Sequence, residues 1–353
     1  LKSLILIACF TFEVVKNGLK HLKKFILQNK ENAIILVDKH TYALCYPLLE
    51  SDIPYILVPY GESYKNLNSC EFIWKKLIEL SANRDTVLIC LGGGVLCDMG
   101  SFAGMCFQRG MPVVLVPTTL LAMVDASIGG KNGVDFLGLK NYIGHFNQPK
   151  HIFVCPEFLD TLPYAEKVNG LVEMLKHGLI ADPSHFESIK ALILNKNSKI
   201  DFNLLEDSIC IKENIVSQDF HDHGIRKRLN FGHTIGHAIE AYSLHINDEN
   251  EALSHGLSVA LGIVVECYLS TIVAGLSSEE LENITYTLRD IIRPILDDVP
   301  PFEDLLPYLK KDKKNNNETI NFSLISSIGV SRQDFEIQEQ IICEGLIYLI
   351  NIS

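Results

Sequence analysis

Up to residue 157 the chain alternates short apolar runs with amphipathic helical patterns, and this alternation restricts its fold more than any other feature. The runs are Leu4–Phe10, Ala33–Val37, Tyr55–Val58, Val87–Leu91, Val113–Val116 and Ile152–Cys155, several of them rich in Val and Ile and ending in Asp, Gly, Pro or Thr. Between them, Asn66–Leu80 sets Leu67, Cys70, Ile73, Trp74, Leu77, Ile78 and Leu80 at helical spacing. Strands separated by helices pair in parallel, with helices over the sheet, so an α/β domain is expected over residues 1–157. Leu4–Phe10 reads as a first strand, not a secretory signal core, because no small-residue cleavage site follows it.

After Glu157 helical segments dominate, at roughly 164–180, 203–220, 232–243, 254–276 and 278–292, with one strand-like stretch at Thr319–Ile325. A mainly α-helical second domain is expected over 158–353, with a site in the cleft between the two. Two domains also suit a length of 353 residues with 47% hydrophobic content. A net charge of −12 argues against nucleic acid or an anionic membrane as partner. No uninterrupted apolar run approaches the ~20 residues of a bilayer span. The ten cysteines form no C-x-x-C pair and sit mostly in apolar runs, as expected of reduced thiols in a cytoplasmic protein.

Three strand ends carry groups suited to a nucleotide. Val87–Leu91 runs into Gly92-Gly93-Gly94, with a helical pattern from Asp98, so phosphate can approach the backbone and meet free N–H groups. A glycine turn alone is equally a tight strand-to-helix connection. Two neighbours add to it: Val113–Val116 ends in Pro117-Thr118-Thr119, and Tyr55–Val58 leads into Gly61-Glu62-Ser63-Tyr64-Lys65, where Glu62 can accept from ribose hydroxyls. Gly129-Gly130-Lys131 and Lys140-Asn141 then offer cations beside flexible backbone, although either lysine alone is equally solvated surface.

A second cluster suits a metal. Glu173, Lys176 and His177 share a helix face, His233 and His237 lie four apart, and His255 opens another helix. A Glu/His/His set with open positions describes a catalytic zinc site, although histidines four apart are also common as satisfied polar or surface residues.

Taken together and in order, these motifs resemble the 3-dehydroquinate synthase family of sugar phosphate cyclases, from about Leu57 to Gly329. The matching segments are Gly61–Lys65, Gly92–Asp98, Gln108-Arg109-Gly110, Pro117–Leu121, Asp125–Lys131, Lys140-Asn141, Phe158–Pro163, Glu173–Lys176, Leu229–His237, His255-Gly256 and Asp312-Lys313-Lys314. The resemblance implies a Rossmann-like NAD-binding domain, a helical domain, a zinc-type ion (cobalt being an alternative) and a homodimer. It implies Glu173, His233 and His255 as metal ligands. NAD contacts are implied for Asp38, Glu62, Lys65, Gly93, Gly94, Val95, Asp98, Thr118, Thr119, Lys131, Lys140, Phe158 and Thr161. Substrate contacts are implied for Asp125, Lys131, Lys176, Lys212, Arg226, Asn230, His237 and Asn141, with Lys313 favoured over Lys314 for phosphate and Arg109 reaching a partner subunit's phosphate.

The implied substrate is 3-deoxy-D-arabino-heptulosonate 7-phosphate. The implied chemistry is transient oxidation by NAD, phosphate elimination, re-reduction, ring opening and aldol closure, without net redox. Three positions depart from the family pattern: His40 near the nucleotide, Leu139 before Lys140, and Leu257-Ser258 after His255-Gly256, where Glu-Ala is typical. The missing carboxylate at 257 bears on the metal's supporting shell. Alternatives are another sugar phosphate cyclase, a metal-dependent alcohol or glycerol dehydrogenase, and an inactive binding subunit.

Overall fold

The computed structural model describes residues 18–195, 199–247, 251–310 and 319–352. The expected strand Leu4–Phe10 and the phosphate candidates Lys313 and Lys314 lie outside the described residues. The chain divides into two compact units, Leu1–Lys167 and Val168–Ser353.

In the first unit α1 (Gly18–Gln28) leads into β1 (Ala33–Asp38), α2 (Lys39–Leu44), β2 (Tyr55–Val58), α3 (Leu67–Glu79), β3 (Val87–Gly92), α4 (Gly94–Cys106) and β4 (Val113–Pro117). An antiparallel hairpin of β5 (Lys131–Phe136) and β6 (Leu139–Phe146) follows, and β7 (His151–Ile152) returns to the main sheet. That sheet is parallel, in the order β2-β1-β3-β4-β7. Its order reverses between β1 and β3, the switch point at which such sheets take ligands beyond their strand ends.

β1 and β3 are buried along their whole length, which is why their sequences are unbroken apolar runs. The edge strand β2 alternates exposed and buried residues. Asn66 caps α3 by accepting the Ser69 amide at 3.1 Å, and Cys70, Ile73 and Leu77 form the buried helix face. α4 lies so close to the sheet that a Cβ on Gly100 would stand 2.4 Å from Cys90 Sγ.

Two expectations need correction here. The strand expected through Cys155 stops at Ile152. Phe153 still donates to Leu115 O at 2.9 Å, but Pro117, two residues along β4 from Leu115, has no N–H with which to continue the ladder. The helix expected from Asp98 begins at Gly94, because the last glycine of the turn already has helical geometry. The β5–β6 hairpin has no counterpart in the sequence reading: β6 is exposed at seven of eight positions and shows no apolar alternation.

The second unit takes in most of α5 (Tyr164–Ala181), then α6 (Pro183–Leu194), α7 (Phe202–Gln218), α8 (His233–Ile246), α9 (His255–Val273), α10 (Ser278–Ile292), α11 (Phe302–Leu309), a hairpin of β8 (Thr319–Ser327) and β9 (Val330–Gln338), and α12 (Glu339–Ile350). The expected strand at 319–325 is thus one arm of a pair. By length and composition α9 could cross a bilayer, but 72% of its most apolar 18-residue window is buried. It is the core helix of this unit, with α8, α10 and α12 packed on it. The nine described cysteines are all free.

Candidate active site

In the first unit the glycine turn ends β3, and Gly93 stands at the N-cap of α4 in extended conformation with no side-chain cap. The first amides of this 13-residue helix, including those of Gly94 and Val95, are thus available to an anion from the helix's positive end. A Cβ on Gly93 would come within 3.1 Å of Thr119 Cγ2, so the turn passes closely under the Thr118–Thr119 strand end. Thr119 Oγ1 accepts the Ala122 amide at 3.2 Å, which leaves its O–H able to donate. Asp38, at the end of β1, caps α2 by accepting the His40 and Thr41 amides through Oδ1. The departure His40 packs its ring 4.4 Å from that of Tyr60.

Lys65, Asp98 and Asn141 come together. Lys65 Nζ lies 2.7 Å from Asp98 Oδ2 and 2.6 Å from Asn141 Oδ1, joining the loop after β2, α4 and the hairpin. Burial lowers the Lys65 pKa, but Asp98 and Glu62 outweigh it and the group is held above its usual value. Burial raises Glu62 against the pull of Lys65 and Lys140. Asn141 takes φ 51°, and its amide donates to Asp135 at 2.7 Å, which fixes the bend of β6 at that point. Asp125 is half-buried in a turn over Ala122–Ala126, and Lys131 and Lys140 are exposed on the hairpin. Phe158 is buried and Thr161 exposed. Arg109 is exposed at φ 68°, just past α4.

In the second unit Glu173 is fully buried on α5, with Lys176 paired to its Oε2. Its Oε1 lies 3.3 Å from His233 Nε2 and 3.3 Å from His255 Nε2. His233 Nδ1 faces Phe231 O at 3.1 Å, and His255 Nδ1 faces Glu240 Oε2 at 3.2 Å. Each ring therefore has an acceptor for an Nδ1 proton, and that tautomer turns the Nε2 lone pair towards Glu173.

A tetrahedral ion bonded at about 2.0–2.1 Å sets its ligand atoms about 3.3 Å apart. The observed separations, 3.3 Å in both cases, match that edge, so these residues fit a zinc-type ion. The charges agree. Burial raises Glu173, but Lys176 and His233 overcome it and hold the carboxyl well below the usual range. Burial and Lys176 depress His233, which favours the neutral, ligating imidazole. Burial also works against a charged His255, yet Glu173 and Glu240 raise it to about 10, and an ion bound there would displace the extra proton from Nε2.

His237 is one turn beyond His233, with its ring 5.0 Å from that of His233 and 5.8 Å from that of His255. His177, which shares the sequence pattern of Glu173, instead bonds Ser208 through Nδ1 at 2.7 Å. Lys176, Lys212 and Arg226 are buried cations, and Asn230 is half-buried beside the start of α8. Arg226 is held by its own loop: Nη1 donates to Phe220 O at 2.6 Å, and its amide donates to Asp219 Oδ2 at 3.1 Å. The sequence reading did not single out Asp219, Glu240 or Glu266. Only Glu240 carried a legible signal, since His233, His237 and Glu240 fall at i, i+4 and i+7 on one helix face.

The sequence patterns described as 3-dehydroquinate synthase N-terminal and C-terminal match residues 55–169 and 170–315. The 3-dehydroquinate synthase of Parabacteroides distasonis is 36% identical over 340 residues, 94% of this chain and 96% of that one. That of Pyrococcus furiosus is 38% identical over 82% of this chain and 83% of its own. Among solved structures, ValA, a 2-epi-5-epi-valiolone synthase from Streptomyces hygroscopicus with NAD+ and Zn2+ bound, superposes with a TM-score of 0.85 at 22% identity, over 99% of both chains. At that identity the likeness speaks for the fold, whereas the two matched patterns and the relatives, which cover most of the chain, establish kinship. This chain belongs to the 3-dehydroquinate synthase family.

Proposed function

We propose that the chain is a lyase of the shikimate pathway, converting 3-deoxy-D-arabino-heptulosonate 7-phosphate to 3-dehydroquinate and phosphate with NAD and a divalent ion. Within the known family, the observation that carries this reading is the convergence of Glu173, His233 and His255 at 3.3 Å separations. Bound NAD would supply a reversible hydride acceptor, and the ion a Lewis acid for the substrate hydroxyls.

The protein's own groups do the rest. Gly93, Gly94 and Val95 offer amides to the dinucleotide's phosphates, with Thr118 and Thr119 beside them, Asp38, Phe158 and Thr161 completing the nucleotide's surroundings, and Glu62 accepting from ribose hydroxyls. Lys65 and Asp98 neutralise each other while holding the Glu62 loop and Asn141 in place. Lys212 and Arg226 bind the substrate carboxylate, a task for which a planar guanidinium is suited. Lys131, Lys140 and Lys313 answer the phosphate. Asp125, Lys176, Asn230 and His237 orient the reacting hydroxyls and move protons near the ion.

A cytoplasmic homodimer completes the reading. The nine described cysteines, all free, suit a reducing compartment. For the dimer, the first unit exposes Phe136, Leu137, Leu139, Tyr142 and Phe146 on its hairpin, and Arg109 is exposed where it could serve a second copy.

Phosphate release from the heptulosonate tests the reading. Activity lost with a chelator, restored by zinc or cobalt, and supported by catalytic NAD without accumulating NADH is expected. Stoichiometric NADH production points instead to a dehydrogenase. Equal turnover of a sugar phosphate without the acid points to a sibling cyclase.

A further inference from the structure

His255 is the first residue of α9, where no helical turn precedes it to fix its ring. Its backbone is held: Ser254 Oγ donates to Asn169 Oδ1 at 2.7 Å, and the Gly256 amide donates to the same oxygen at 3.1 Å. The ring direction is set separately, by two carboxylates. Nε2 lies 3.3 Å from Glu173 Oε1, and Nδ1 lies 3.2 Å from Glu240 Oε2.

The two histidines are supported differently. His233 Nδ1 meets a neutral carbonyl, Phe231 O, from its own chain segment. His255 Nδ1 meets a largely buried carboxylate on another helix, which both selects a tautomer and makes the ring a stronger donor to a cation. The residue two after His255 is Leu257, so the carboxylate serving this ring does not come from its own helix turn.

We propose that Glu240, from α8, is a positioning residue that fixes His255 for metal ligation. The proposal rests on the ligand set named under Proposed function. Its near oxygen meets Nδ1, the ring nitrogen opposite the one that faces Glu173, which suits a supporting role and not ligation. His237, Glu240 and His255 could form a competing trio, since one donor atom from each lies within 4.8 Å of the others, but they are less buried than Glu173, His233 and His255.

The test is metal binding to protein stripped with chelator. Zn2+ affinity and the visible Co2+ spectrum are recorded for wild type, Glu240→Gln, Glu240→Ala, His233→Ala and His237→Ala, with metal-free folding checked by circular dichroism. Glu240→Ala should bind Zn2+ about 10–100-fold more weakly, with altered Co2+ bands. Glu240→Gln keeps an acceptor for Nδ1–H but not the charge, so it should lie between the two with bands close to wild type. It decides the matter if the alanine variant fails to fold. Wild-type affinity and bands in both Glu240 variants overturn the proposal and leave the ligand set standing. If His237→Ala loses the metal as fully as Glu240→Ala, Glu240 is a ligand and the positioning role is wrong. Undiminished binding by His233→Ala overturns the ligand set, and this proposal with it.

Discussion

Glu266, within α9, reaches the amino end of α8: its Oε2 accepts the Gly232 amide at 2.6 Å and its Oε1 the Ile235 amide at 3.2 Å. Gly232 is the N-cap of α8, at φ 79° and without a side chain to cap with. A Cβ there would stand 2.5 Å from Ile263 Cγ1, so a conventional Ser or Asp cap does not fit. The helix that carries His233, His237 and Glu240 is therefore capped by its neighbour.

Glu266→Ala strands buried amides at about 1–3 kcal/mol each. A stability loss on the order of 3 kcal/mol and weaker zinc binding are expected together, because the first turn of α8 holds His233. Thermal unfolding of the metal-free protein and a zinc titration check this. An unchanged melting temperature would show that the cap is dispensable.

Lys65 and Asp98 are a mostly enclosed ion pair, with side chains 5% and 18% exposed. Removing one partner from such a pair leaves an uncompensated charge, at a cost on the order of 3 kcal/mol. Lys65→Met should lower both stability and NAD affinity, and adding Asp98→Asn should recover part of the stability. A double-mutant cycle on melting and NAD binding measures this coupling; strictly additive losses would refute it.

Arg226→Ala should lower kcat/KM for the heptulosonate about 100-fold or more, as expected when a buried carboxylate contact worth ~2–5 kcal/mol is lost. Zinc content and NAD affinity should stay near wild type. A variant that also loses zinc would assign Arg226 a structural role.

Asp219 gives a pH signature. Burial raises its carboxyl, but the amides of His223, Gly224 and Arg226 outweigh that and bring it to about 2. Because the folded value lies below the unfolded one of about 3.9, the ionised group stabilises the fold fully above that pH. This contribution fades as pH falls from about 4 towards 2. The melting-temperature gap between wild type and Asp219→Asn should be steady from pH 7 to about 4.5 and shrink below it. A gap that persists undiminished at the acid end would exclude this role.

The sequence by itself determined the elements whose pattern is local. Apolar runs such as Val87–Leu91 are strands because a sheet covered on both faces buries every residue, and Leu67–Glu79 is a helix because its apolar spacing and Asn66 cap agree. It also placed Glu173, His233 and His255 on helices, and only the family resemblance joined them into one set. Tertiary structure alone decided the partners. Pro117 ends the β7 ladder from a different strand, and β5–β6 is a hairpin whose exposed faces leave no periodic trace. Glu240 and Glu266 act on helices other than their own, Glu240 on the ring of His255 and Glu266 on the amides of α8. Spacing along one helix reports which side chains share a face. Which donor meets a carboxylate across a helix packing is set by how the helices cross, and no single segment encodes that.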